Sequence, residues 1–232
     1  MKIQTVGEIV HEKGINALIY GPDHSGKTYS ISTLPNLEKT LVLSVETSGL
    51  ISLKKKCPEL KAVKVESMSE LFNAYKEIEN DPLKYENIVL DSLTEIADLC
   101  VSEELEKTNA AGNKVHGQQA YGEMANKIIK MVRAFQSLPI NILFICQQGR
   151  IQDSEGRLYY GPLLPGKQGN IKLPYLVPFI AALKIRTNEK GSVERAFQFV
   201  PSEDLIAGQR GDANLTFEKP NWTTIFNKIK GE

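Results

Sequence analysis

Gly21-Pro22-Asp23-His24-Ser25-Gly26-Lys27-Thr28 fits the pattern G-x-x-x-x-G-K-[ST] and decides the fold. The six residues before it, Ile15 to Tyr20, are a short, mostly apolar run suited to a buried strand, and a helix-compatible segment follows Gly26. The glycines let the backbone curl until its N–H groups converge on phosphate oxygens. Lys27 adds a point charge for the β- and γ-phosphates, and Thr28 offers a hydroxyl to Mg²⁺. The N-terminus of the following helix adds partial positive charge at the same place. A chance glycine-rich turn rarely has a strand on one side and a helix on the other. Gly21, Pro22, Asp23, His24, Ser25, Gly26, Lys27, Thr28 and the adjoining Tyr29 are therefore expected to hold a nucleoside triphosphate.

Strand-like and helix-like segments alternate downstream. Thr40 to Val45, Ala62 to Val65, Tyr85 to Leu90 and Ile140 to Cys146 read as strands. Ser67 to Glu79 begins with the capping-box spelling Ser67-x-x-Glu70, and helices are also expected over Leu93 to Lys107 and Ala120 to Gln136. Pro35 should close the helix after the glycine-rich loop. This alternation predicts a mostly parallel central sheet flanked by helices. The last third differs. Arg150 to Tyr160 reads as a hairpin, Gly161 to Asn170 as a Gly/Pro-rich loop, and Phe179 to Arg186 and Arg195 to Val200 as further strands. Asn221 to Lys230 should form a closing helix with Trp222, Ile225, Phe226 and Ile229 on one face. The expectation is one α/β domain over 1–232, with a core near 15–147 and a β-rich C-terminal edge near 148–232.

Bulk properties allow this and narrow the setting. The chain has 232 residues and 41% hydrophobic residues, enough for one sizeable core. Lys plus Arg balance Asp plus Glu at 28 each, which leaves room for a local basic groove without requiring one. Cys57, Cys100 and Cys146 form no C-x-x-C, so neither zinc nor a disulfide framework is expected. With no membrane-length apolar run, a soluble, cytoplasmic protein without a membrane partner is expected.

Three residues at strand ends carry the candidate chemistry. Asp91 closes an apolar strand, where a carboxylate can act on Mg²⁺ together with Thr28; the same residue could simply precede a helix capped by Ser92. Hydrolysis also needs a group that orients water. The position after Asp91 is Ser92, so Glu46 at the tip of the second strand is the first candidate, with Glu95 as the alternative. Gln147, at the end of another strand, could sense the γ-phosphate; Gln148 would point to the opposite face.

The order of these motifs resembles the RecA-type ATPase core, and specifically the small phage-encoded ATPases of single-strand annealing and recombination. The resemblance rests on residues 21–28, Leu43-Ser44-Val45-Glu46, Ile88-Val89-Leu90-Asp91-Ser92 and Leu143-Phe144-Ile145-Cys146-Gln147. It implies a RecA-like P-loop NTPase fold that hydrolyses ATP with Mg²⁺, with Lys27, Glu46 and Gln147 as the catalytic group. It also implies single-stranded DNA as partner, a homo-oligomer, and cooperation with a single-strand-binding protein in a phage or bacterial host cell. The DNA loops would correspond to Ala110 to Gln119 and Gly149 to Asn170. The second carries Arg150, Arg157, Tyr159, Tyr160 and Lys167, a mixture of charge and stacking rings. A basic residue acting on the neighbouring subunit's phosphates is implied too: Arg210 first, then Arg186 and Lys184. The other function open at this point is a nucleotide-dependent switch or assembly factor acting on protein partners.

Overall fold

The buried aliphatic runs pair side by side in the computed structural model, which describes residues 5, 14–46, 48–108, 112, 114–152, 155–187 and 191–232. Its strands are β1 (Asn16–Gly21), β2 (Thr40–Ser44), β3 (Lys61–Lys64), β4 (Asn87–Asp91) and β5 (Asn141–Gln152), followed by β6 (Leu158–Pro162), β7 (Phe179–Thr187), β8 (Val193–Gln198), β9 (Gly208–Gln209) and β10 (Phe217–Glu218). Across the sheet they run β10-β8-β7-β1-β5-β4-β2-β3. Every neighbouring pair from β3 to β7 is parallel, whereas β8 and β10 add antiparallel strands at the C-terminal edge. The expected mostly parallel α/β sheet with a β-rich edge is the fold that forms.

Strand side chains alternate between two cores, as a period of two requires. On one face Leu18, Tyr20, Leu43, Leu90 and Phe144 pack under α2 (Met68–Asn80), α3 (Leu93–Glu106), α4 (Gly117–Gln136) and α5 (Lys167–Leu176). On the other, Ala17, Ile19, Val42, Val89 and Ile145 meet Ile31 and α6 (Trp222–Lys230). Trp222 is buried there, stacks on Phe197 at 4.8 Å, and donates its indole N–H to Ser30 Oγ at 3.1 Å. The closing helix therefore braces the segment that leaves the glycine-rich loop. At the opposite rim, Asn141 Nδ2 donates to Asn87 Oδ1 at 3.0 Å, and Asn87 Nδ2 donates to Pro35 O at 2.6 Å, fastening the amino ends of β4 and β5.

Several sequence expectations change in detail. The helix after the loop, α1 (Lys27–Ser30), is one turn long and passes into a 3₁₀ turn over Ile31–Thr33. Ser30, Ser32 and Thr33 hydroxyls donate to the carbonyls three residues earlier, a local bonding that competes with helix propagation ahead of Pro35. β5 does not stop at Cys146 but runs unbroken to Gln152, because β6 offers it a second partner after β1 and β4 end. The Gly/Pro-rich stretch is not all loop: it supplies the end of β6 and the start of α5, a helix that tolerates Pro174 in its interior. The stretch before Arg210, helix-like by its sequence, leads instead into β9. Most of the polar stretch 1–14, part of the loop expected over 109–117, and parts of the turns expected at 153–156 and 188–191 lie outside the described residues.

Candidate nucleotide-binding site

The glycine-rich loop joins β1 to α1 at the carboxyl rim of the parallel sheet. Gly26 sits at φ 102°, where an L side chain is strained, so the loop's curl depends on glycine at that position. Lys27 Nζ donates to Gly21 O at 2.9 Å and Pro22 O at 2.8 Å, holding the ammonium over the loop mouth. Burial lowers the Lys27 pKa, with Asp23 and Asp91 opposing the shift. Ser25 Oγ is buried and has no hydrogen-bond partner among the described residues, a donor that suits a bound anion.

β5 lies between β1 and β4, so the chemistry falls on two neighbouring levels of the same rim: Gly21 stands beside Gln147, and Asp91 beside Ile145, two residues earlier along β5. Thr28 Oγ1 donates to Asp91 Oδ2 at 3.0 Å. Asp91 is 6% exposed, and burial raises its carboxyl to about 6, against the Thr28 hydrogen bond and Lys27, with nearby Glu46 adding to the rise. A Cβ built on Gly49 would lie 3.5 Å from Thr28 Oγ1 and 3.8 Å from Asp91 Oδ2, so glycine there keeps the space beside both oxygens clear. Two hard oxygen donors with such a cleft fit Mg²⁺, which would be completed by waters and substrate phosphates.

Glu46 lies two residues past β2, exposed, with its backbone O and carboxylate taken by the Ser44 and Ser48 hydroxyls. Glu95 lies in the first turn of α3, where burial, Asp98 and Glu46 raise its carboxyl and a hydrogen bond from Gln147 opposes that rise. That bond runs from Gln147 Nε2 to Glu95 Oε1 at 2.7 Å. The Gln147 backbone N–H donates to Thr94 Oγ1 at 3.0 Å, and that hydroxyl donates to Leu163 O at 2.7 Å, tying β5 to the end of β6. Gln147 is thus mid-strand, at the point where β5 leaves the parallel sheet. The sequence offered no reason to pick Thr94. Its position one turn past Asp91 on the same rim is visible only in the fold.

The expected DNA residues separate into groups. Arg150 pairs with Tyr160 across the β5–β6 hairpin and shares its face; Tyr159 pairs with Ile151 on the other face. Arg150 and Lys167 line a hollow of about 470 Å³ that also reaches Gln147, Thr94 and Asp98. Arg157 is exposed and paired with Glu155 at 3.0 Å. The earlier candidate stretch, 110–119, is described only in part. Lys184 and Arg186 stand past the last β1–β7 pair, Tyr20 with Ala182, on the loop's side of the sheet. Arg186 lies 5.1 Å from the Phe217 ring. Arg210 is anchored to Tyr175 O at 2.5 Å and Pro178 O at 2.9 Å, next to Phe179, which pairs with Ala17. Four residues of strand rise, roughly 13 Å, separate that rim from Gly21, so Arg210 does not serve its own loop.

Among the described residues no helix is long and apolar enough to cross a membrane. No curated protein matches the chain at a significant level. One similar solved structure is that of the KaiC-like protein PH0186 from the hyperthermophilic archaeon Pyrococcus horikoshii OT3, which is 14% identical over 80% of this chain and 78% of that one, with a TM-score of 0.45. A family model described as an AAA domain matches residues 13–211, a span that holds the glycine-rich loop, Asp91 and Gln147. The chain belongs to that AAA domain family, within the P-loop nucleoside triphosphatases.

Proposed function

We propose that this protein is a Mg²⁺-dependent ATPase that binds single-stranded DNA and promotes phage DNA recombination or strand annealing. In this reading Gly21 to Tyr29 grip ATP. Lys27 stabilises charge on the transferring phosphoryl group, and Thr28 and Asp91 hold the metal, directly or through water. When bound, Mg²⁺ neutralises phosphate charge. Glu46 takes a proton from the attacking water. Glu95, half-buried and occupied by Gln147, keeps that amide aimed at the rim beside the loop.

One observation carries the DNA part: β5 continues without interruption from Gln147 beside Gly21 to Arg150 on the hairpin. A change at the γ-phosphate thus has a direct covalent route to a surface bearing Arg150, Tyr160 and, across the hollow, Lys167. The test is ATP hydrolysis with and without single-stranded oligonucleotide. Stimulation of the wild type, lost in Gln147→Ala while ATP binding persists, supports the proposal. A rate indifferent to DNA in an active preparation favours instead a nucleotide switch acting on proteins. Arg210, at the rim away from its own loop, is proposed to act on a neighbouring subunit in a homo-oligomer, with Lys184 and Arg186 as further candidates. A single-strand-binding protein remains a proposed partner on the DNA.

A further inference from the structure

One basic residue touches the phosphate loop without belonging to it. Arg195 lies on β8, 170 positions along the chain from Ser25, and its Nε donates to Ser25 O at 2.8 Å. The same side chain passes Gly26 closely: a Cβ there would lie 3.6 Å from Nε and 3.7 Å from Cδ. A trans peptide points its C=O and the following N–H in opposite directions. With Ser25 O turned outward to Arg195, the Gly26 N–H points away from Arg195 and into the loop. Gly26 has the left-handed φ of 102° that glycine adopts freely, so this is the loop peptide least restrained by its own side chains.

We propose that Arg195 is a positioning residue in cis that fixes the Ser25–Gly26 peptide, so that the Gly26 N–H faces the phosphates of a bound nucleoside di- or triphosphate. The guanidinium suits this role. Nε is its one nitrogen with a hydrogen bond among the described residues, and its planar fork resists rotation once Nε is anchored. β7 pairs with both β1 and β8, and Ile185 pairs with Arg195, so the residue is carried on a strand that is registered, through β7, to the strand entering the loop. Lys184 and Arg186 flank Ile185 and therefore project from the opposite face of the hairpin. A partner that shifts the hairpin through those two residues would shift the Ser25–Gly26 peptide with it, and with it nucleotide affinity.

The inference rests on nucleotide binding by the loop, and the experiment separates the two. Binding of a fluorescent ADP analogue and of a fluorescent non-hydrolysable ATP analogue is measured for wild type, Arg195→Ala and Arg195→Lys, with steady-state ATP hydrolysis and thermal melting alongside. No binding by the wild type overturns the nucleotide reading itself. The expected result is a roughly tenfold rise in dissociation constant for both nucleotides in Arg195→Ala, the size of a charge-assisted hydrogen bond at a partly exposed site. KM should rise with it while kcat stays within about twofold, since the peptide holds ground state and transition state alike. Arg195→Lys keeps the charge but loses the fork and should recover only part of the affinity. Unchanged nucleotide binding in Arg195→Ala overturns the proposal. So does a fall in kcat at unchanged affinity, which would make Arg195 a group acting on the transition state. Equal melting temperatures without nucleotide, and a smaller nucleotide-induced rise in Arg195→Ala, tie the effect to the loop rather than to folding.

Discussion

The proposed metal role requires Asp91 as a carboxylate, yet its surroundings favour the acid. Its burial lifts the carboxyl to about 6, whereas a free Asp titrates near about 3.9. Between those values the folded protein keeps its proton longer than the unfolded chain does. Stability of the metal-free protein therefore falls as pH rises through that window and stays reduced above it. Two pKa units correspond to about 3 kcal/mol. In metal-free buffer near neutral pH, Asp91→Asn should raise the urea midpoint, and the advantage should fade toward about pH 4. A midpoint below wild type at neutral pH would show that burial is not the dominant influence on this group. The two flanking carboxylates should separate in kinetics. Glu46→Gln is expected to retain ATP binding and lose turnover. Glu95→Gln, which keeps a partner for Gln147, should retain turnover and change its response to DNA. Lys27→Ala should reduce hydrolysis to background in the same assay.

At the scale of elements, α6 shows how the far end of the chain supports the site. Trp222 fills a buried slot between Phe197 and Phe226 and bonds to Ser30. Trp222→Ala should cost about 3–5 kcal/mol in chemical denaturation, the usual range for a buried aromatic. Ser67 caps α2 by accepting the Glu70 N–H at 3.1 Å, and Ser67→Ala should cost about 1 kcal/mol. The cap was legible because its spelling is local, although Glu70 reaches back to the Glu66 N–H rather than to Ser67. The strands and their parallel order were legible too, since aliphatic runs of this kind pair in few other ways. The continuation of β5 was not, because Gln147, Gln148 and Gly149 read as a stop unless β6 is known to receive them. The helix through Pro174 was hidden for the same reason: its support is tertiary, with Leu173 buried under the sheet.

For the whole molecule, the sum of charges is zero, while the candidate site's charged residues and Arg210 stand at opposite rims of the sheet. Lys27, Asp91, Glu46 and Glu95 gather at the carboxyl rim; Arg210 sits at the other. Such a division predicts complementation. A mixture of Lys27→Ala and Arg210→Ala proteins should hydrolyse ATP faster than either alone, if one subunit's Arg210 reaches its neighbour's phosphates. Additive, low rates from the mixture would place Arg210 outside catalysis. DNA affinity should fall with salt, and Arg150→Ala should reduce the logarithmic slope by about 0.7, one phosphate contact on a single strand. Tyr160→Ala should weaken binding by about 1–3 kcal/mol with the slope unchanged.

The chain contains one tryptophan, and its indole N–H ends on Ser30, three residues past Lys27. That placement gives the protein an optical reporter of its own. Indole emission depends on hydrogen bonding and nearby dipoles, so any movement of α1 when ATP enters or ADP leaves should alter the intensity or wavelength of the Trp222 signal. Stopped-flow traces of unlabelled protein would then time loop closure, hydrolysis and product release in a single cuvette.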